Sequence, residues 1–240
     1  MPKYDRRRKY FMVLDCETAT LPCAINYTEE QRKNIAITKP LIYDLGWKIM
    51  DKNGNIYNRV NYLVSEVFSV PSVFDTAYYR EKRPIYLEKM RNGEITLANW
   101  ETIMTDFIAD LSVCEAIGAY NSMFDFKKAI IFTEAYIRKV YSPYYHEWEE
   151  NQKALCAKIA YSKEKSDKNP DFDPMNFVFR GNKYPMIDIW GVACNTLLNC
   201  NKYKNRCLLE KRISPSGLYF STNAETAMQY LSDNFNFIED

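Results

Sequence analysis

No stretch of the 240 residues approaches the ~18 consecutive apolar side chains of a membrane-crossing helix, so the sequence predicts no transmembrane segment. No long apolar run follows the basic start Met1–Lys9, which argues against a secretory signal. No two of the seven cysteines (Cys16, Cys23, Cys114, Cys156, Cys194, Cys200, Cys207) have C-x-x-C spacing, and their number is odd. A zinc site and a disulfide scaffold are therefore disfavoured, and the cysteines read as reduced thiols of a cytoplasmic protein. Neither charge sign dominates, with 32 Lys+Arg against 31 Asp+Glu. Such a balance does not advertise nucleic-acid binding, yet it leaves room for a local basic groove offset by metal-holding carboxylates. Histidine is almost missing: the one residue is His146. No internal repeat is evident.

What is present is a chain able to fold. Hydrophobic residues make up 47%, enough for a sizeable core. The 19 Tyr and 13 Phe offer stacking surfaces as well as core material. Residues Lys9–Leu14 form an apolar run ending in Asp15 and read as a buried strand. Residues 41–50 and 56–64 read as two further strands joined by a hairpin turn at Asn53-Gly54. Residues 72–95 read as a helical or irregular connection broken at Pro84 and Asn92-Gly93. Helical spacing of Trp100, Ile103, Met104, Phe107, Ile108 and Leu111 predicts a helix over 97–111. A short strand at Ala116–Tyr120 and a helix at Asn121–Lys139 follow. Residues 140–183 read as an insertion, partly helical around 147–163. A strand at 184–189, a helix at 189–200 and a helix at 223–233 capped by Asn223 complete the chain. This order predicts a single α/β domain over 1–240 with a mixed sheet flanked by helices.

Two segments carry chemistry. In Asp15-Cys16-Glu17 the acids sit at i and i+2 of a strand and share a face. Like charges that close repel, which is easiest to justify where cations bridge them. In Tyr120-Asn121-Ser122-Met123-Phe124-Asp125 a strand passes into a helix. Asn121 can cap that helix, and Asp125 falls in the first turn, where the dipole favours a carboxylate.

Together these segments resemble the DEDD 3′–5′ exonucleases of the ribonuclease-H-like fold. Asp15-Cys16-Glu17-Thr18 is similar to their D-x-E-T motif, and Tyr120–Asp125 to their H-N-x-x-F-D motif. Met186-Ile187-Asp188-Ile189-Trp190 resembles a later strand-to-helix turn. The resemblance implies a ribonuclease-H-like mixed sheet, with Asp15, Glu17 and Asp125 as catalytic carboxylates holding two divalent ions, Mg²⁺ or Mn²⁺. Asn121 would orient the motif or the scissile nucleotide. Thr18 and Phe124 belong with the substrate side, Phe124 as a wedge or stacking surface beside Met123. The implied substrate is the single-stranded 3′ end of DNA, or of RNA.

The family's third motif, H-x4-D, is not matched. His146 is followed four and five residues later by Glu150 and Asn151. The chain ends where that motif is expected, after 224–240, so truncation before it is the expectation. Tyr184 and Asp188 have the alternative Y-x3-D spacing, but Pro185 and Met186-Ile187 favour a strand, and Asp188 reads better as a helix N-cap. Glu239 and Asp240 are terminal stand-ins. Arg6-Arg7-Arg8-Lys9 could meet phosphates or simply be solvated, and Tyr141, Tyr144, Tyr145, His146 and Trp148 could form a strand-binding lid or equally pack the insertion onto the core. The competing reading is a catalytically silent nucleic-acid-binding or interaction protein on the same fold. Richness in Asn, Lys and Tyr fits an AT-rich genome, such as that of a phage or a low-GC bacterium.

Overall fold

A computed structural model of the chain describes residues 4, 9–21, 28, 39–141, 175–214, 216–217 and 219–234. Most of the insertion read at 140–183, including His146, Glu150 and Asn151, lies outside these residues, as do Arg6–Arg8, Glu239 and Asp240.

Seven strands form one mixed sheet flanked by helices, the α/β class that the sequence predicts, with two strands more than the five it reads. They are β1 (Tyr10–Ala19), β2 (Leu41–Asp51), β3 (Ile56–Val64), β4 (Thr96–Ala98), β5 (Cys114–Ala119), β6 (Asn176–Phe179) and β7 (Asn182–Asp188), in the order β4-β3-β2-β1-β5-β7-β6. β1 pairs antiparallel with β2, and β2 with β3. The β2–β3 turn uses Gly54 at φ +83°, a conformation that costs glycine little. Asp51 locks the turn by accepting from the Asn53 and Asn55 backbone N–H groups at 2.8 and 3.1 Å. The short β4 pairs parallel with β3 and was not legible: Leu97, predicted to open a helix, lies in this strand. The helix itself begins at Trp100, because Asn99 caps it by accepting from the Thr102 N–H at 2.8 Å.

Between β3 and β4 the chain forms α1 (Ser65–Phe68), α2 (Pro71–Phe74), a single 3₁₀ turn at Arg80–Lys82 and α3 (Arg83–Arg91). Proline opens α2 and α3 near their first positions, where no intrahelical donor is lost. After α4 (Trp100–Leu111) and β5 comes a helical run of three parts: α5 (Ser122–Phe124), a π-helical stretch (Asp125–Ile130) and α6 (Ile131–Val140). A π turn carries one residue more than an α turn and is often found at functional sites.

The chain divides into two compact units. The first comprises residues 1–118 and 123–187 and holds most of the sheet. Its core includes Met12, Leu14, Leu45, Trp47, Ile49, Phe107, Phe126 and Phe177, all buried. Arg180, at φ +45°, ties β6–β7 to the helices: it reaches Glu101 of α4 at 2.7 and 2.9 Å and Glu134 of α6 at 3.0 and 3.1 Å.

The second unit comprises residues 119–122 and 188–240. It contains α7 (Ile189–Leu197), α8 (Asn201–Leu209) and α9 (Ala224–Asn234), packed around Leu197, Tyr203, Cys207, Ala227 and Tyr230. The two caps predicted here are present. Asp188 Oδ2 accepts from the Gly191 N–H at 3.2 Å, and Asn223 Oδ1 from the Thr226 N–H at 2.8 Å. No described helix is long and apolar enough to cross a membrane.

Candidate active site

The two acids of Asp15-Cys16-Glu17 lie within β1, not at its end. The strand continues to Ala19 because Thr18 and Ala19 still pair with Ile42 and Leu41, and Ala19 and Leu21 are buried. Asp15 stands opposite Gly46, and Glu17 opposite Asp44. Residues directly opposite in an antiparallel ladder share a face, as do i and i+2 of one strand. Asp15, Glu17 and Asp44 therefore share one face, and Gly46 presents no side chain beside Asp15. Between Glu17 and Thr18 the register shifts: β1 advances one residue while β2 advances from Asp44 to Ile42. Tyr43 is the extra residue of this bulge.

Asp44 was not found by reading the sequence for motifs. Its signal was there, as a lone acid inside the apolar run Leu41–Leu45, but only the register shows that it meets Glu17.

All three acids are pushed toward neutrality. Glu17 is raised from 4.5 to about 7, first by burial, then by the charges of Asp15 and Asp44; Lys82 offsets part of this, and Asp125 adds a smaller rise. Asp44 is raised from 3.8 to about 6 by burial and by Asp15, with the Tyr86 hydroxyl and Lys89 pulling the other way. Asp15 keeps contact with solvent, yet the protein around it removes enough water to raise its pKa as well. Among the described residues no ammonium or guanidinium makes an ion pair with any of the three.

Asp125 opens the π-helical stretch and is 4% exposed. Cys16, whose side chain alternates with those of Asp15 and Glu17, donates its thiol to Asp125 Oδ1 at 3.1 Å. Burial, then the Asp125 carboxylate, keeps that thiol well above its ordinary pKa, so it remains a protonated donor. Because Cys16 points away from the face that Asp15 and Glu17 share, Asp125 meets β1 on the other face, and its charge adds only a small rise at Glu17.

The other expected residues are more dispersed. Thr18 is half-buried just past the bulge, and Phe124 is half-buried at the end of α5. Asn121 is exposed in the turn before α5 and belongs to the second unit. Tyr184 and Asp188 lie along the extended β7, where four residues span roughly 13 Å, so the Y-x3-D spacing does not bring them together.

Carboxylate oxygens are the donors that hard divalent cations take, and a cation would relieve the repulsion that raises Glu17 and Asp44. In donor type and in charge the face fits Mg²⁺ or Mn²⁺. The side chains do not yet converge: among the described residues no group of three His, Cys, Asp or Glu is placed to hold a metal ion. Comparison with known proteins finds no family model that matches the chain and no similar curated protein.

Proposed function

We propose that this chain is a metal-dependent 3′–5′ exonuclease acting on single-stranded nucleic acid ends, with DNA as the substrate. The observation that carries the reading is the shared face of Asp15, Glu17 and Asp44, three acids raised toward neutrality with no cationic side chain among the described residues paired to them. The resemblance of Asp15–Thr18 and Tyr120–Asp125 to the DEDD motifs gives that face its chemistry.

Asp15 and Glu17 would hold the divalent ion, with Asp125 adding negative charge from its place beside Cys16. When bound, Mg²⁺ or Mn²⁺ supplies a nucleophilic water at neutral pH and stabilises the leaving oxygen. Asp44, opposite Glu17 on the same face, would be the carboxylate placed to take the water's proton. Cys16 holds Asp125 in place through the thiol hydrogen bond and takes no part in proton transfer, because its own pKa is too high.

The test is digestion of a 5′-labelled single-stranded oligonucleotide with Mg²⁺, with Mn²⁺ and with EDTA. The expected result is stepwise shortening from the 3′ end that needs metal and is lost in Asp15→Asn. Binding of the oligonucleotide with no metal-dependent, Asp15-dependent shortening would replace this reading with that of a silent nucleic-acid-binding protein.

A further inference from the structure

Two tyrosines that the exonuclease reading leaves unused sit close to the acidic face. Thr76 clips the segment after α2 to the end of β1: its hydroxyl accepts from the Thr20 N–H at 2.8 Å and lies 3.0 Å from the Thr20 carbonyl. Thr20 is three residues past Glu17, and Tyr78 and Tyr79 follow Thr76 directly after Ala77. The clip therefore fixes the Tyr78–Tyr79 turn beside the strand that carries the acids. The charge relations agree, since Tyr79 is raised first by the Glu17 carboxylate and Glu17 is lowered by Lys82.

The turn has the makings of a stacking surface. Tyr78 is 81% exposed, far more than burial-driven packing leaves a tyrosine. Its ring meets that of Tyr79 edge-on at 4.8 Å, which fixes its orientation. Lys82 Nζ lies 3.5 Å over the Tyr79 ring. Residues 80–91 carry five cations (Arg80, Lys82, Arg83, Lys89, Arg91) against Glu81 and Glu88. Arg80 reaches the Asp75 carbonyl, and Arg83 lies over Phe68 and Phe74, so both have local roles. Lys82 is exposed.

We infer that Tyr78, braced by Tyr79, stacks on an unpaired base near the strand terminus, and that Lys82 meets a backbone phosphate beside it. An exposed ring backed by a cation suits a single strand, because every base has a π-face and every linkage a negative charge. The inference rests on the exonuclease reading for its choice of ligand, and it extends that reading to the residues that position the strand.

The test is fluorescence anisotropy of a labelled single-stranded DNA oligonucleotide in EDTA, so that binding is read without cleavage. Tyr78→Ala should weaken binding roughly tenfold, Tyr78→Phe should retain it, and Tyr219→Ala, an exposed tyrosine elsewhere, should leave it unchanged. Lys82→Gln should lower the slope of log K against log salt by about one, a change that a merely structural role would not produce. The same variants are then assayed for digestion with Mn²⁺. If Tyr78→Ala binds as tightly as the wild type while Asp15→Asn loses digestion, the platform is overturned and the exonuclease stands. If Tyr78→Ala loses binding and no form digests the strand, the platform is supported and the exonuclease falls. If the wild type binds no oligonucleotide, the platform is overturned.

Discussion

Around Arg180 two glutamates are held by one guanidinium, whereas at β1 three acids share a face with no ion-pair partner among the described residues. Both groups lie in the first unit, and their electrostatics run in opposite directions. Glu101 is held below its ordinary pKa by Arg180. Burial works against Glu134, yet Arg180, Trp100 and Arg138 together hold it below the usual range too. Glu17 and Asp44 instead rise to about 7 and about 6. A cluster completed by the protein's own side chains stabilises the fold. A cluster left incomplete costs stability, and that cost makes sense where something from outside completes it.

The sharpest way to break this contrast is Asp15→Asn. It should abolish metal-dependent digestion and remove the rise in thermal midpoint that Mn²⁺ gives the wild type. That rise follows from mass action, about 2.7 kcal/mol at a metal concentration one hundred times Kd. An undiminished rise in the variant, read by differential scanning fluorimetry, would put the metal elsewhere.

Arg180→Ala tests the completed cluster. It strips the main partner from Glu134, whose side chain is only 12% exposed, and should cost about 1–2 kcal/mol in urea unfolding. Metal-dependent stabilisation should remain. Because Glu101 and Glu134 have lowered pKa values in the fold, their contribution is present above about 4.5 and fades as pH falls further.

The incomplete cluster should show the reverse slope. Glu17 binds its proton more tightly folded than unfolded, so apo stability falls as pH rises from 4.5 to about 7 and stays low above that. Glu17→Gln should remove that part of the slope. Measured in EDTA at pH 8, the variant should be more stable than the wild type by about 1 kcal/mol, once solvent screening is allowed for. At pH 4.5 the two should nearly coincide. Equal stability at pH 8 would mean that neither burial nor the neighbouring acids raise Glu17.

The smallest effect belongs to Arg138→Ala. Arg138 pairs with Glu134 four residues earlier, but its side chain is 61% exposed and Arg180 remains to hold the glutamate. A loss below about 0.5 kcal/mol is expected by urea unfolding. A larger loss would make Arg138, not Arg180, the centre of that cluster.

Local chemistry was the legible part of this chain. The Asn53-Gly54 turn, the caps at Asn223 and Asp188, and the shared face of Asp15 and Glu17 all follow from neighbours in sequence. What stayed hidden depends on pairing between distant segments. Asp44 matters because register sets it against Glu17, and no local pattern encodes that register across a bulge. Arg180 likewise meets Glu101 and Glu134 only after the β6–β7 hairpin folds back, from a positive φ that glycine usually occupies. The segment 72–95 reads in sequence only as a helical or irregular connection, because its helices are single turns or short runs with too few residues to show a period.

Loss of one codon inside the π-helical stretch Asp125–Ile130 would close the wide turn to ordinary α geometry and swing the residues before it by about 100°. Tyr136, Ile137 and Val140, farther along, would keep their places in the core. If α6 keeps its packing, Asp125 turns away from Cys16 and their hydrogen bond is lost. One residue more or fewer in that turn thus decides which acid faces β1, with no acid itself replaced.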